Sequence, residues 1–350
     1  MSALRTDPIM NRSQQPLVSV LTPLYNGEPY VRQCIEAVLA QTYSNWEYII
    51  VNNCSTDNSL SIAEEYAARE PRIRIQTNRE FVGAEANHNI ALRYISEASK
   101  YIKFAHADDW LFPECIEKMV QVAEDNPSVG LVGAYRLHEN YVSLNGLEYP
   151  STVVSGRAVA RGLLLGKFNV FGSYNSTLLR TDLVRLKTPF YNESNIHADT
   201  EACYHILQTT DYGFVHQLLT FTRSHDASVS SSISSLNTSL LGGGLFLLLR
   251  YGPVFLNEKE FRARKAEYLK RYYAFLGKNV LKMREKSFWK YHVDGLRELG
   301  IPLSKPRLCA SAVIEGIRLC CDPPRMRRVL ERQFTAKKSR PNLPFPGRIS

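Results

Sequence analysis

The chain has 350 residues, of which 44% are hydrophobic and 22% are charged, a balance typical of a soluble globular protein rather than a disordered chain. Its net charge of +9 is unevenly distributed, because the segment from residue 257 to the C-terminus is strongly basic and the part before it is slightly acidic. The seven cysteines are scattered and form no CxxC pair, which favours a reducing compartment and argues against a disulfide framework or a zinc site. Residues 1–15 lack the apolar core of a signal peptide, so we expect a disordered N-terminus and a cytoplasmic protein.

Strands and helices alternate through the first 125 residues. Apolar runs predict strands at Leu17–Leu21, Trp46–Val51, Arg72–Gln76 and Tyr101–Ala105, and segments with helical spacing of apolar residues lie between them. This order predicts an α/β fold, with a doubly wound, mostly parallel sheet that carries helices on both faces.

Polar loops follow these four strands, near Thr22, Asn52, Asn78 and His106. Because the carboxyl ends of parallel strands meet at one edge of a sheet, these loops predict a nucleotide site there. The sequence contains neither GxGxxG nor GxxxxGK[ST]. Hydride transfer on NAD and phosphoryl transfer on a P-loop are therefore disfavoured.

Two adjacent carboxylates, Asp108 and Asp109, follow the fourth strand. Neighbouring carboxylates repel each other, so a cation or hydrogen-bond donors must normally hold them. One interpretation is a metal or ligand site at the sheet edge. The other is that one of them caps a helix that begins near Pro113. The residues alone leave both interpretations open.

Three segments resemble, in order and spacing, the successive motifs of family 2 glycosyltransferases: Val18–Asn26, Ser55–Ser59 and Ala107–Pro113. That family has the GT-A fold and transfers a sugar from a nucleotide diphosphate to a hydroxyl, with inversion of the anomeric centre. The resemblance implies a GT-A domain over residues 16–230, with a nucleotide half at 16–135 and an acceptor half at 136–230.

The resemblance also implies a divalent cation, Mg²⁺ or Mn²⁺. Asp108 resembles the last acid of the family's DxD motif, which holds the cation on the donor's diphosphate. His106 stands where the first acid, which usually contacts the ribose, would be. Asp109 is expected either as a second metal ligand or as a helix cap. Arg223 and His225 resemble the closing motif, whose side chains contact the diphosphate or the metal, so the implied metal ligands are Asp108, Asp109 and His225.

The donor-binding residues implied by the resemblance are Thr22, Pro23, Tyr25, Asn52, Asn53, Asn78, His106, Ala107, Asp108 and Arg223. We expect Tyr25 to stack on the base and Thr22 to hydrogen-bond it. Asn52 and Asn53 stand where the family has acids that read the base, and the alternative is an Asn-Asn turn at a strand end. Asp57 is expected to order its own turn.

A carboxylate at the start of a later helix, Asp199, corresponds to the family's general base, which takes the proton of the acceptor hydroxyl. Read without the resemblance, Asp199 could be only a helix N-cap. Glu201 is expected to orient His197 or the acceptor. Gly172 and Ser173 resemble the acceptor-side loop, and an ordinary turn is the alternative.

The C-terminal third differs in character from the rest. Residues 240–334 are predicted to form basic amphipathic helices, and residues 335–350 a disordered tail. The apolar run at 240–249 is shorter than the roughly 20 residues that cross a bilayer. The basic faces suit an anionic membrane surface, with a peripheral attachment to the cytoplasmic face. The alternative is that these helices pack on the catalytic domain.

The function expected from the sequence is an inverting glycosyltransferase that moves a sugar from a nucleotide-diphosphate donor to a glycan or lipid-linked acceptor in exopolysaccharide or lipopolysaccharide biosynthesis. No nucleic-acid partner is expected. Two rivals stay open: a nucleotidyltransferase, and a non-catalytic protein that binds a nucleotide sugar or a lipid.

Overall fold

The structure, a computed structural model, describes residues 15–224 and 236–321. Most of the expected disordered N-terminus, His225, the end of the basic helical region and the expected C-terminal tail lie outside the described residues. The chain divides into two compact units: residues 1–193 with 198–224, and residues 194–197 with 225–350.

The described part of the first unit contains one sheet. Its strands are β1 (Leu17–Leu24), β2 (Trp46–Asn52), β3 (Ile73–Thr77), β4 (Ser99–Phe104), β5 (Trp110–Leu111), β6 (Val129–His138), β7 (Tyr141–Ser143), β8 (Val153–Val154), β9 (Thr177–Arg180) and β10 (Asp211–Thr222). The main strand order is β3-β2-β1-β4-β9-β6-β10-β5, with β7 beside β6 and β8 beside β10.

The nucleotide half of this sheet is parallel and the other half is mixed. The strands β3, β2, β1 and β4 run parallel, whereas β9 is antiparallel to both β4 and β6. Strand β10 runs parallel to β6 and is one long strand that ends at Thr222, directly before Arg223. The pairings Leu24 with Asn52 and Leu21 with Phe104 bring the ends of β1, β2 and β4 to one edge.

Helices cover the sheet. Those of the first unit are α1 (Val31–Leu39), α2 (Ser59–Ala67), α3 (Ala84–Leu92), α4 (Cys115–Asp125), α5 (Gly156–Leu164), α6 (Thr181–Arg185) and α7 (Ala198–Ile206). Helix α1 buries Val31, Cys34, Ile35 and Val38, which recur at helical spacing. The central strands are buried on both faces, as the continuous apolar runs of β1 and β2 predict.

The second unit is helical in its described part. A π-helical turn, Leu241–Phe246, leads into α8 (Leu247–Phe255), α9 (Glu258–Leu281), α10 (Lys286–Glu298) and α11 (Lys305–Cys320). The aromatic and basic stretch after Phe261 is therefore helical, as expected, and is divided between α9 and α10. Their core contains Leu241, Leu245, Tyr272, Leu276, Phe288 and Leu296.

Three glycines in the π-helical turn make room for neighbouring rings. A Cβ at Gly243 would lie 3.2 Å from the ring of His197, and one at Gly244 would clash with the hydroxyl of Tyr268. His197 also lies 3.4 Å, Nε2 to Oγ1, from Thr238. The four residues 194–197, which end at His197, are thus part of the second unit although the chain on either side of them is not.

One helical stretch of the described chain, Thr238–Phe255, is long and apolar enough to cross a membrane, judged by length and composition alone. It is longer than the apolar run that the sequence suggested. Half of it is buried within the protein, and the core helix of a soluble protein meets the same criteria.

Candidate functional site

The loops that follow β1, β2 and β4 pack into one edge. The Asp57 carboxylate accepts the backbone N–H groups of Glu28 and Ser59, each at 3.0 Å. The Ser59 hydroxyl in turn accepts the N–H of Gly27 at 2.8 Å. A Cβ at Gly27 would lie 3.1 Å from that of Ala107 in the loop after β4. Asp57 therefore orders its turn, as expected, and also fixes the loop after β1.

The Thr22 side chain stabilises this edge from inside the sheet and is not exposed to a nucleotide base. Its side chain is fully buried. Its hydroxyl donates to the carbonyl of Ala105 and bonds the hydroxyl of Tyr48 at 2.7 Å, so it ties together β1, β2 and the end of β4. The expectation that Thr22 hydrogen-bonds the base is therefore wrong, because its only proton is used inside the sheet.

The three asparagines in the expected donor-binding set also have internal partners. Asn52 Oδ1 accepts the N–H of Ser55 at 3.1 Å. Asn53 Oδ1 accepts the N–H of Val82 and the amide of Asn78, each at 3.0 Å. Asn52 and Asn53 are both buried. We correct the expectation for these amides: they shape the loops, which is the turn alternative, with Asn78 as a partner.

Two exposed aromatic rings lie at the same edge. Tyr25 is 49% exposed and Phe81 is 60% exposed, and their ring centroids are 4.8 Å apart. Tyr25 lies in the loop after β1 and Phe81 in the loop after β3, so both are accessible to a planar ligand. Sequence reasoning missed Phe81, although an aromatic residue in a strand-end loop was a usable signal.

The stretch after β4 contains a group that could hold a metal ion. One ligand atom from each of His106, Asp108 and Asp109 lies within 4.8 Å of the others. Carboxylate oxygens suit both Mg²⁺ and Mn²⁺, and an imidazole nitrogen suits transition metals. These residues therefore fit the divalent cation that the sequence predicted. His225 lies outside the described residues.

Asp109 is held in place from the far end of β10. Burial, followed by the adjacent charge of Asp108, raises the pKa of Asp109 to about 7. The backbone N–H of Arg223 donates to Asp109 Oδ1 at 2.9 Å, and Arg223 Nε donates to the carbonyl of Asp108 at 3.2 Å. The Arg223 guanidinium also donates to Gln33 at 2.8 Å and lies 4.5 Å from the ring centroid of Tyr30. The structure thus places Arg223 beside the two carboxylates.

A second histidine, which sequence reasoning missed, is bonded to the first. His88 on α3 lies with its Nε2 3.0 Å from the Nε2 of His106. The ring of Tyr174 stacks on His88, with centroids 4.0 Å apart, and lies 5.5 Å from the ring of His106. Nothing in the sequence pairs residues 88 and 106, because one lies on a helix and the other in a loop.

Asp199 occupies the first turn of α7. Burial raises the pKa of its carboxyl to about 6, although Thr200 donates to it. The charge of Arg136 on β6 acts on Asp199 and also on Asp109. Burial, followed by the charges of Asp199 and Glu85, raises the pKa of Tyr174. Arg136 thus acts on both Asp199 and the stretch after β4, and the charge of Asp199 reaches Tyr174, whose ring lies 5.5 Å from that of His106.

The acceptor-side turn is tied to β4 by a buried lysine. Gly172 has a φ of 74°, a conformation that favours glycine. The Ser173 hydroxyl is buried and has no hydrogen-bond partner among the described residues. Lys103, fully buried, donates to the carbonyls of Asn175 and Thr177. The turn is therefore more than a surface loop.

Glu201 lies on the same helix, α7, as Asp199. It is buried and accepts a hydrogen bond from the amide of Asn192 at 3.1 Å. Its expected role in orienting His197 or the acceptor stays a prediction.

Solved structures share this fold. One is residues 1–349 of TarS from S. aureus in complex with UDP-GlcNAc, with a TM-score of 0.59, 16% identity and coverage of 85% of this chain and 88% of that one. Another is the mannosyltransferase PcManGT from Pyrobaculum calidifontis in complex with GDP-Man and Mn²⁺, with a TM-score of 0.53, 15% identity and coverage of 91% and 85%. The chain thus has the fold of the GT-A glycosyltransferases.

The amino-acid sequence is also similar to that of known glycosyltransferases. Residues 19–182 match the model of the family described as Glycosyl transferase family 2, so this segment of the chain is similar to that family. A glycosyltransferase of Haemophilus influenzae is 39% identical over 120 residues, which are 34% of this chain and 36% of that protein. The putative teichuronic acid biosynthesis glycosyltransferase TuaG of Bacillus subtilis is 36% identical over 107 residues, 31% of this chain and 42% of that protein. The matches thus span less than half of these relatives' lengths.

Proposed function

We propose that the chain is an inverting glycosyltransferase that moves a sugar from a nucleotide-diphosphate donor to a hydroxyl of a glycan or lipid-linked acceptor in polysaccharide assembly. What supports this proposal is that the charge of Arg136 on β6 acts on both Asp199 and Asp109, the acids expected on the acceptor side and on the donor side. A donor-binding group and a base on one side of a sheet are what direct displacement at an anomeric carbon requires.

In this proposal Asp199 removes the proton from the acceptor hydroxyl as the new glycosidic bond forms. The bond from the anomeric carbon to the diphosphate oxygen breaks at the same time, and the nucleoside diphosphate leaves. A carboxyl with a pKa of about 6 is ionised at neutral pH, yet it is a stronger base than an exposed aspartate.

The leaving diphosphate needs positive charge. Arg223, held over Tyr30 by the contacts described above, offers a planar fork that fits phosphate oxygens. Asp108, with His106 and Asp109, would hold Mg²⁺ or Mn²⁺, which would draw off part of the charge that develops on the diphosphate. Tyr25 and Phe81 would contact the base, and Pro23 and Ala107 would line the donor side.

A donor panel tests the proposal. The full-length protein is incubated with UDP-, GDP- and dTDP-sugars and a lipid-linked or glycan acceptor, with and without Mn²⁺, and the released nucleoside diphosphate is measured. The proposal expects release of diphosphate with one donor and, by NMR, an anomeric configuration opposite to that of the donor. Release of pyrophosphate from a sugar phosphate and NTP would favour a nucleotidyltransferase, and binding without turnover would favour a non-catalytic protein.

We also propose that α11 docks on an anionic membrane surface. Its apolar residues Val313, Ile314 and Ile317 are between 51% and 62% exposed, while Glu315 is buried. Near Gly277 of α9, the backbone of Ser311 and Ala312 packs closely. The helix therefore leaves three branched apolar side chains exposed, while it buries Glu315.

The charge around α11 favours a bilayer as the occupant of this face. Lys305, Arg307 and Arg318 lie on the same helix, and the segment from residue 257 onward is the strongly basic part of the chain. An exposed apolar strip among cationic side chains suits the interface of a membrane that contains anionic lipids. The protein would then act as a peripheral enzyme on the cytoplasmic face.

A further inference from the structure

We propose that His88 is a positioning residue that fixes the tautomer of His106, so that His106 Nδ1 is a ligand of the divalent cation. This rests on the proposed function, since the cation is the one that would bind the donor's diphosphate. It predicts a site with one nitrogen and two carboxylate ligands, His106, Asp108 and Asp109, in place of an all-oxygen site.

The first step concerns the proton on His88 Nδ1. This nitrogen lies 2.7 Å from the carbonyl oxygen of Ala84, one turn earlier on α3. A carbonyl oxygen can only accept a hydrogen bond, so Nδ1 must carry the proton. A neutral imidazole has one N–H, which leaves Nε2 of His88 as an acceptor.

The second step concerns the proton between His88 Nε2 and His106 Nε2. The two Nε2 atoms are 3.0 Å apart, and a hydrogen bond between them needs one proton. Because His88 Nε2 accepts, His106 Nε2 must donate. Nδ1 of a neutral His106 then carries a lone pair and no proton, which is the form that binds a metal ion.

The surroundings keep His88 neutral and in place. Its side chain is 7% exposed. The ring of Tyr174 stacks on it at 4.0 Å, and the ring of Phe104 lies at 5.2 Å. An imidazolium without an anionic partner would be costly between two aromatic rings. The same rings hinder rotation of the imidazole, so the orientation of its Nε2 is fixed.

The remaining ligand atoms are close to His106. One ligand atom each from His106, Asp108 and Asp109 lies within 4.8 Å of the others. Since Nε2 of His106 is used by His88, Nδ1 is the nitrogen left for a ligand. An imidazole ligand favours transition metals over Mg²⁺, which prefers oxygen donors. The mixed ligand set therefore predicts that the protein binds Mn²⁺ more tightly than Mg²⁺.

Calorimetric titration of the full-length protein with Mn²⁺ and with Mg²⁺, without substrate, tests the role of His88. The variant His88→Phe keeps an aromatic ring beside Tyr174 and removes the acceptor for His106. We expect it to bind Mn²⁺ at least about 10-fold more weakly, the lower end of the usual effect of a residue that orients a metal ligand. The matched control is His216→Phe, because His216, like His88, bonds one backbone carbonyl, that of Ser151 at 2.9 Å, and one side chain, the hydroxyl of Tyr135 at 2.7 Å, but lies outside the metal-binding group. It should bind Mn²⁺ as the wild type does.

A spectroscopic measurement decides the ligand directly. Electron spin-echo modulation of Mn²⁺ bound to the wild-type protein should show coupling to a directly bonded nitrogen, and His106→Asp should abolish it. Unchanged Mn²⁺ affinity in a folded His88→Phe variant, or no nitrogen coupling in the wild type at saturating Mn²⁺, would overturn the inference. The second result does not require any variant to fold.

The inference and the proposed function fail in different ways. Donor turnover with Mn²⁺ but no nitrogen coupling would leave the glycosyltransferase proposal standing and remove the role of His106 Nδ1. Nitrogen coupling without turnover of any donor would support the ligand set and count against the enzyme.

Discussion

At the scale of single residues, the site depends on ionisable side chains that the fold buries. Asp199 and Asp109 both have raised pKa values, mainly because of burial, and Arg136 is the cation that acts on both. Burial lowers the pKa of this arginine. A buried acid that ionises near neutral pH is a common arrangement in enzymes that transfer protons.

The pH dependence of transfer should therefore report Asp199. The base acts only when ionised, so kcat/KM should fall about tenfold per pH unit below the pKa of about 6 and level off above it. Asp199→Asn should lower the rate about 10²- to 10⁴-fold. Initial rates between pH 5 and 8, measured as nucleoside diphosphate release, check both expectations.

The control for this variant is Asp182→Asn. Asp182 pairs with Arg180 at the surface, at the other end of β9 from the acceptor-side turn, and its loss should leave the pH profile unchanged. A flat wild-type profile over this range, or a normal rate in Asp199→Asn with a proven acceptor, would exclude Asp199 as the base.

The buried Lys103 offers a prediction about stability. Lys103→Met should lower the free energy of unfolding by about 1–3 kcal/mol, because the carbonyls of Asn175 and Thr177 lose a buried donor. Lys100→Met is the control: Lys100 lies on the same strand, its side chain is half exposed and it pairs with Glu124 at the surface, so its loss should cost less than about 1 kcal/mol. Urea unfolding of both variants makes the comparison, and equal stabilities would show that Lys103 does not anchor the turn.

The residues of the site were only partly predictable from the sequence. The adjacent carboxylates after β4 stand out because they interrupt an apolar run. The prediction that Thr22 contacts the nucleotide was wrong because the sequence does not show whether a hydroxyl at a strand end points to a ligand or into the sheet. The bond between His88 and His106 and the stack of Tyr174 on His88 join three separate elements, and no local pattern reports such a contact.

At the scale of elements, the periodicity of the sequence predicted that helices form but not which side of each would face outward. Amphipathic helices were expected over residues 240–334, and within this range α11 extends from Lys305 to Cys320. The apolar side of these helices was expected either to pack on the catalytic domain or to contact lipid, and the spacing of the apolar residues fits both. Only the packing against α9 decides that the apolar strip of α11 is exposed.

The exposed face of α11 should bind lipid. The double variant Ile314→Glu with Ile317→Glu should lose most of its binding to vesicles of phosphatidylglycerol and phosphatidylethanolamine, because it places two charges in the apolar strip. Co-sedimentation at 100 mM salt measures this. Leu186→Glu is the matched control, since Leu186 is 79% exposed but lies in the first unit.

Two other results would contradict membrane docking. Equal sedimentation of wild type and double variant would show that the strip does not contact lipid. A wild-type protein that forms dimers in solution, and a double variant that is monomeric, would instead assign the strip to contact between copies of this chain.

At the scale of the whole molecule, charge and cysteines are divided between the two units. Cys34, Cys115 and Cys203 are buried in the first unit, whereas Cys309, Cys320 and Cys321 are exposed on or next to α11, and all seven cysteines are free. The alternation over the first 125 residues allowed the doubly wound α/β sheet to be predicted, and the resemblance of three segments to family 2 glycosyltransferases implied the GT-A fold. The antiparallel β9 was not predicted, because its four residues are too few to carry a pattern.

This division predicts the reactivity of the thiols. An aromatic disulfide reagent should modify three cysteines rapidly in the native protein and three more only after unfolding, with Cys54 at an intermediate rate, because a buried thiol is both inaccessible and held protonated. Absorbance of the released thiolate counts the groups. Rapid modification of five or more in the native state would show that the first unit opens readily.

A short segment of the chain next to Asp199 belongs to the second unit. Residues 194–197 belong to that unit, and His197, beside the glycine turn, is separated from Asp199 by one residue only. The backbone that carries the Asp199 carboxylate is therefore tethered, through Ala198 alone, to residues that belong to the helical unit.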